Sequence, residues 1–521
     1  MLVSKALVSS IRKYPTKIAS MDEHSKYTYQ EMGVRVAKLK QALKSIGSKR
    51  GDRVGLLMFN TPAYLEVLYA VMSYGGIVTP LNIRLSMDEL AFILNDAAIE
   101  TLFIHKEFIE MIDDLKRNCP SLTHVIMADD IDVEGTLHYE SWIHSFPETE
   151  FTVDQIEDEE IAGLFYTGGT TGRAKGVMLT HKNLVNNAYH AALNIEFTKN
   201  ERYLHAAPMF HLADGACSFG VTLAGGSHQY IRSFTAEKWL ENVENLKPTS
   251  TLLVPTMLNM VMNDSQFAKY DTTSLQKIIY GASPMSIEGL KKAKENFKNI
   301  KLYQAYGMTE ASPILTVLSS EDHEVGESPI EQKRLSSCGK PVHHVELKIV
   351  DSLGKELPSH QVGEIVARGP NIMKSYWKLP EETNAVLRNG WYYSGDLGYK
   401  DEQGYFYVVD RAKDMIITGG ENVYTTEVEN VLYEIEGVRE CAVVGIPDDT
   451  WGEKAIAIIV STTDSDLTEQ KVKEACRKKL ANYKVPKEVI FSDELPKSGA
   501  GKILKRHLRD TFWKNENRKV H

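Results

Sequence analysis

Apolar residues recur at helical spacing from Tyr29 to Gly47, and Arg53 to Phe59 follows as a short, almost unbroken apolar run of the buried-strand type. The same couple repeats at Pro62 to Tyr74 with Ile77 to Pro80, and at Met87 to Asp96 with Thr101 to Ile104. Helices alternating with buried strands predict α/β layering from about residue 26 to 260. From Ser337 to Val366 the texture changes to short strands broken by Gly339, Pro341, Gly354, Pro358 and Gly363, which predicts a small β-rich subdomain. After Asp410, RAKDMIITGGENVYTTEVENVLYEI reads as a short strand, a glycine turn and an amphipathic helix. CAVVGIP and KAIAIIV read as strands, and Leu467 to Leu480 as a helix. The expected fold class is α/β: a large N-terminal domain of layered α/β subdomains with the small β-rich subdomain, residues 1–411, and a small mobile α+β C-terminal domain, residues 412–521. The boundary falls in the charged stretch Asp410 to Lys413, and no internal repeat or low-complexity segment is evident.

A length of 521 residues exceeds what one core sustains, so two to four packed units are expected. Hydrophobic residues at 43% and charged residues at 25% describe an ordinary soluble globular chain. The net charge of -10 argues against nucleic acid as a partner, because duplex binding normally shows a basic domain. Cys119, Cys217, Cys338, Cys441 and Cys476 lie far apart, without metal-ligand or disulfide-framework spacing, which fits a reducing compartment. The start, MLVSKALVSSIRKYPTKIA, is basic and mildly amphipathic, with apolar stretches too short for a secretory signal. His205, His211 and Asp214 interrupt the best candidate for a membrane span, which needs roughly 18 apolar residues in a row. A cytoplasmic location and no transmembrane segment are expected. The basic end, KSGAGKILKRHLRDTFWKNENRKVH, reads as a solvated face.

The chemistry starts at YTGGTTGRAKGV, Tyr166 to Val177, which follows the apolar stretch Ile161 to Phe165. Glycines let backbone N–H groups turn toward an anion where a β-carbon would clash, threonine hydroxyls add donors, and Lys175 adds a point charge. The segment is a phosphate cradle, yet it fails the Walker pattern, because Lys175 is flanked by Ala174 and Gly176 with no following Ser or Thr for magnesium. Further along come GASP (Gly281 to Pro284), QAYGMTE (Gln304 to Glu310), WYYSGDLGY with DRAKD, the glycine pair Gly419-Gly420, and PKSGAGKILKR.

In this order the segments resemble the acyl-CoA synthetases of the adenylate-forming superfamily, which includes fatty-acid and aryl CoA ligases, luciferases and peptide-synthetase adenylation domains. The resemblance covers essentially the whole chain. It implies that Thr167, Gly168, Gly169, Thr170, Thr171, Gly172 and Lys175 hold the β and γ phosphates of ATP, although Gly168 and Ala174 replace the usual serine and proline. Gly281, Ala282, Ser283, Gln304, Ala305 and Tyr306 are the implied adenine site, Thr309 bonds the α-phosphate, and Glu310 and Thr170 are the implied magnesium ligands. Without that company, Thr309 reads only as a helix cap. Asp396, placed at a likely strand end, and Arg411 are implied to hold the ribose, and Lys413 to be the hinge of the small domain. Gly419 and Gly420 would border the pantetheine thiol channel, with Trp451 near CoA, unless Trp451 is an ordinary core or interface tryptophan. His211, in APMFHLADGA, would gate the carboxylate tunnel, lined also by Val254, Pro255 and Ala305, the last replacing a common glycine.

Lys502 is the expected catalytic lysine. A carboxylate attacking the α-phosphate brings two anions together, so a mobile ammonium bridging both stabilises the transition state, and a point charge on a flexible stem suits the task. The resemblance implies a two-step ligase. A carboxylic acid and MgATP give acyl-adenylate and pyrophosphate, and the CoA thiol then displaces AMP. A medium- or long-chain fatty acid is the favoured substrate, with aryl acids such as a coumarate or benzoate the nearest competitor. Loading of a carrier protein is the alternative in another class. A non-catalytic nucleotide-binding relative is a third, against which intact Lys175, Thr309, Glu310, Asp396, Arg411 and Lys502 argue. The expected partners are the small-molecule acid, ATP and CoA, with a possible homodimer implied by the family.

Overall fold

The computed structural model describes residues 1–167, 173–283, 285, 287–324, 328–448, 450–462, 465–497 and 503–513. The predicted helix–strand couples form within one or two residues: Tyr29–Ser45 with Arg53–Leu57, Pro62–Ser73 with Ile77–Pro80, and Met87–Asp96 with Thr101–Ile104. Their starts are written locally. Thr28 and Ser86 each accept from the backbone N–H three residues on while Glu31 and Glu89 reach back, so capping boxes satisfy the first-turn donors.

Arg53–Leu57 and Ile77–Pro80 lie in the parallel middle of an eight-stranded sheet, which continues through Ile161–Thr167 and its antiparallel neighbour Lys175–Thr180 to the edge strand Ser375–Tyr376. A second sheet, of nine strands, has a parallel middle of Ser227–Tyr230, Arg202–His205, Ser250–Leu252, Lys277–Gly281 and Lys301–Gly307. Helices cover these sheets, so the strands are buried on both faces and the two-residue alternation of a half-exposed strand is lost. The helix Pro62–Ser73 is buried almost all round. Its Glu66 is compensated by Arg35 Nε at 2.7 Å and the Tyr139 hydroxyl at 2.5 Å, as a carboxylate out of water requires.

The β-rich unit is larger than Ser337 to Val366. It is a five-stranded sheet of Glu346–Val350, Gly363–Arg368, Leu387–Arg388, Trp391–Lys400 and Phe406–Arg411. Glycines and polar residues inside WYYSGDLGYK conceal the longest of these strands from pattern reading. A fourth sheet begins at Ile416–Thr418 and takes in Glu421–Val423, Val438–Asp448, Gly452–Ser461 and Glu488–Phe491. Along Val438–Asp448, Cys441 and Val443 face one core while Ala442, Val444 and Ile446 face another, the two-residue period of a strand covered on both sides.

The first and the last described helices are both docked. The helix Val3–Lys13 buries Val3 and Leu7, and its Ser4 and Ser10 hydroxyls donate to Tyr69 O at 3.2 Å and Thr222 O at 2.7 Å. The helix Lys505–Trp513 does not present a wholly solvated face. Lys505 Nζ lies 2.7 Å from Glu429 Oε1, with both side chains under a fifth exposed, because a partner carboxylate compensates its burial. No helix among the described residues is long and apolar enough to cross a membrane.

Burial holds His181, His190 and His323 well below the ordinary histidine value, each at about 4. Unfolded histidines titrate near 6.5, so between pH 6.5 and 4 the unfolded chain binds more protons and stability falls as pH drops through that window. Chemical denaturation at stepped pH is expected to lose up to about 3 kcal/mol for each of the three histidines across that window, at about 1.4 kcal/mol per pKa unit. His323→Gln is expected to flatten the slope.

Candidate active site

The site is built where the nine-stranded sheet meets the five-stranded one. Lys277–Gly281 and Lys301–Gly307 run parallel with Gly281 opposite Ala305. A β-carbon on Gly281 would lie 2.2 Å from Ala305 O, so the approach needs bare backbone. The chain then turns through Ala282, at φ +64°, into Ser283. Gln304 Oε1 accepts from the Tyr280 hydroxyl at 3.3 Å. Two residues on, the Tyr306 hydroxyl donates to Asp396 Oδ2 at 2.8 Å.

Past Gly307 the chain makes a single 3-10 turn, Thr309–Ala311. Met308 occupies the cap position and Thr309 is the first residue inside, so Thr309 is not the cap. Glu310 is tied at both ends: its carbonyl accepts from Met373 N–H at 2.7 Å and its Oε1 from the Tyr376 hydroxyl at 2.8 Å. Burial pushes its carboxyl above the ordinary range, against the pull of the Tyr376 hydroxyl and the Arg411 guanidinium.

Asp396 does not end a strand. It lies inside Trp391–Lys400, one residue after Gly395, whose φ of +72° kinks the strand beside a register shift and turns the carboxylate into the crevice. Across the antiparallel pair it faces Arg411, with Nε 3.7 Å from Oδ1. Asp396 therefore collects a phenol and a guanidinium on one carboxylate, and the ribose pair expected from sequence is a cross-strand pair rather than a loop contact.

Gly168, Gly169, Thr170, Thr171 and Gly172 lie outside the described residues, as does Lys502. The flanks are described. Thr167 ends one strand opposite Lys175, which begins its antiparallel neighbour, and Lys175 Nζ lies 5.3 Å from the centre of the Tyr376 ring. Lys497 and Ile503 form a β-bridge across the segment that carries Lys502.

His211 sits at the N-cap position of the helix Leu212–Ala224, its ring 4.5 Å from that of Phe210. Asn60 clamps the approach to this turn, donating to His205 O at 3.1 Å and Ala207 O at 2.9 Å and accepting from Met209 N–H at 2.8 Å. Beyond it, Asp214 accepts from the Tyr203 hydroxyl at 2.8 Å and lies 2.6 Å from His205 Nδ1. Val254 is buried just before the helix Pro255–Met262, which Pro255 opens.

Gly419, Gly420 and Trp451 form a second group on the fourth sheet. Gly419 N–H donates to Trp451 O at 2.8 Å, and a β-carbon there would lie 2.7 Å from the indole. Trp451 is 55% exposed, so it is not a core residue. Lys413 stands between the groups, in the turn after Phe406–Arg411. Loss of solvent and the Arg411 guanidinium lower its ammonium to about 8, although the side chain is exposed by area.

Sequence reasoning missed Tyr376, Asn60 and Asp214. An isolated tyrosine, asparagine or aspartate has no spacing to mark it, and each acquires its role from partners more than 60, 140 or 8 residues away in the chain.

Comparison with known proteins identifies the family of the chain. Residues 7–377 match the AMP-binding enzyme family and residues 427–502 the AMP-binding enzyme C-terminal domain. The chain is 37% identical to a feruloyl-CoA synthase of an Amycolatopsis species, covering 96% of this chain and 98% of that protein. It is 32% identical to the medium/long-chain-fatty-acid–CoA ligase FadD8 of Mycobacterium tuberculosis, covering 99% and 90%. The anthranilate CoA ligase AuaEII, solved in complex with anthranoyl-AMP, superposes with a TM-score of 0.91 at 26% identity, covering 98% and 97%. The chain belongs to the AMP-binding enzyme family, within the adenylate-forming acyl-CoA synthetase superfamily, and is an AMP-forming acid–thiol ligase.

Proposed function

We propose that the enzyme activates a carboxylic acid with an apolar body, first to acyl-AMP and then to acyl-CoA, and that the acid is aromatic in the first reading. The observation that carries the two-step chemistry is the joining of Asp396 to Tyr306 and Arg411, with Glu310 in the same crevice. Asp396 and Arg411 hold the ribose, Tyr306 and the turn from Gly281 to Ser283 take the adenine, and Lys175 with the loop from Thr167 takes the polyphosphate. Thr309, at the start of its one-turn helix, meets the α-phosphate, and Lys502 bridges the reacting anions. His211 and its clamped turn border the acid.

Glu310 suits a divalent cation, being a half-buried carboxylate whose direct hydrogen-bond partner is a neutral phenol. It would hold magnesium together with the Thr170 hydroxyl, and the ion would supply neutralisation of phosphate charge. Residues 1–411 then form the adenylating domain and residues 412–521 a mobile domain that turns about Lys413, bringing Lys502 for the first step and Gly419, Gly420 and Trp451 for CoA in the second. Five buried free thiols support a reducing, cytoplasmic setting.

The likeness to the feruloyl-CoA synthase supports an aromatic acid. A medium- or long-chain fatty acid is the second reading, supported by the likeness to FadD8 over nearly the whole chain. Pyrophosphate release with a panel of hydroxycinnamic, benzoic and C8–C18 acids, each with and without CoA, is expected to show turnover that needs CoA to continue past one equivalent. Fastest turnover on a fatty acid would select the second reading, and silence with every acid would sink both.

A further inference from the structure

Tyr376 lies between the strand that begins with Lys175 and the turn that carries Glu310. It ends the two-residue edge strand Ser375–Tyr376, where it pairs antiparallel with Val177. Its N–H donates to Thr383 Oγ1 at 3.0 Å, and the next N–H, of Trp377, to Gly176 O at 2.7 Å, so its backbone is pinned on both sides. The residue is buried. From this fixed point its hydroxyl donates to Glu310 Oε1 at 2.8 Å, and its ring lies 5.3 Å from Lys175 Nζ, within cation–π range.

Lys175 and Glu310 are of opposite charge and share one phenol. Paired with each other, the ammonium would spend its donors on the carboxylate, and each arriving nucleotide would have to break a charge-assisted contact. Tyr376 gives both groups a neutral partner, a hydroxyl for the carboxylate and a π face for the ammonium. A contact with only one charged member is weaker than an ion pair of two, and yields to a polyphosphate.

We propose that Tyr376 is a positioning residue that keeps Lys175 and Glu310 apart and open for the polyphosphate of the nucleotide. The inference rests on the reading of this crevice as the ATP site. It is tested by calorimetric titration of the full chain with ATP, with and without magnesium and in the absence of acid and CoA. Tyr376→Phe keeps the ring beside Lys175 and removes the donor to Glu310, and is expected to raise the Kd for ATP about tenfold, the lower end of the scale for a hydrogen bond to a charged group. Tyr376→Leu removes both contacts and is expected to raise it about 20-fold. With Glu310→Gln already present there is no carboxylate to hold off the lysine, so adding Tyr376→Phe is expected to change Kd by less than about twofold. An equal loss in both backgrounds is what a merely structural tyrosine produces, and it overturns the proposal. So does an unchanged Kd in Tyr376→Phe. Wild-type protein that binds no ATP overturns the reading of the crevice and this inference with it, whereas ATP binding without the coupling overturns the inference alone.

Discussion

Lys502→Ala is expected to lower acyl-adenylate formation about a thousandfold while leaving thioester formation from supplied acyl-AMP within a few-fold of the parent. The size follows from removing one preorganised charge aimed at a developing anion. The split follows from chemistry. The first step brings a carboxylate onto a phosphate and needs a cation between them, while the second brings a thiol onto an activated acyl carbon with the phosphate already leaving. Gly499 and Gly501 flank Ala500 just before the lysine, and the Lys497–Ile503 bridge is made by backbone that the substitution does not alter. Isotope exchange between pyrophosphate and ATP measures the first step, and CoA consumption with synthetic acyl-AMP the second. Equal loss in both assays would remove Lys502 from the role given to it.

The second large effect is expected at the turn. The five-stranded sheet ends with Arg411 and the next sheet begins with Ile416, so Ala412, Lys413, Asp414 and Met415 must absorb any rotation of the terminal unit. Ala412 N–H donates to Gly395 O at 2.9 Å on one side, and Arg509 Nη1 to Lys413 O at 3.0 Å on the other. Lys413→Pro keeps that carbonyl, but locks φ at 413 and biases Ala412 toward extended backbone. Adenylation is expected to stay within about threefold. Acyl-CoA yield is expected to fall roughly a hundredfold, the cost of misplacing reacting groups by about 1 Å. Undiminished acyl-CoA formation by the proline variant would move the hinge elsewhere.

Much of this architecture could be read before any coordinates. Ile77–Pro80, Met87–Asp96 and Thr101–Ile104 coincide with their predicted bounds because each is delimited by local chemistry, a Ser86 cap or the end of an apolar run. The β-rich unit was underestimated because Gly395 and Asp396 interrupt the pattern of the strand that carries the site. The same interruption made Asp396 look like a strand end. The positive φ at Gly395 and the register shift that spoil the period lie where Asp396 meets Tyr306 and Arg411, so legibility failed at an irregular backbone.

The order of short motifs carried the family resemblance, and the resemblance implied the chemistry. Local periodicity was enough to lay out the elements. Neither could say that Asp396 meets Tyr306 and Arg411, that Lys505 is paired with Glu429, or that Tyr376 stands between Lys175 and Glu310. Such contacts join residues as far as about 200 positions apart, and a contact between distant residues depends on strand register and sheet packing rather than on any local spacing.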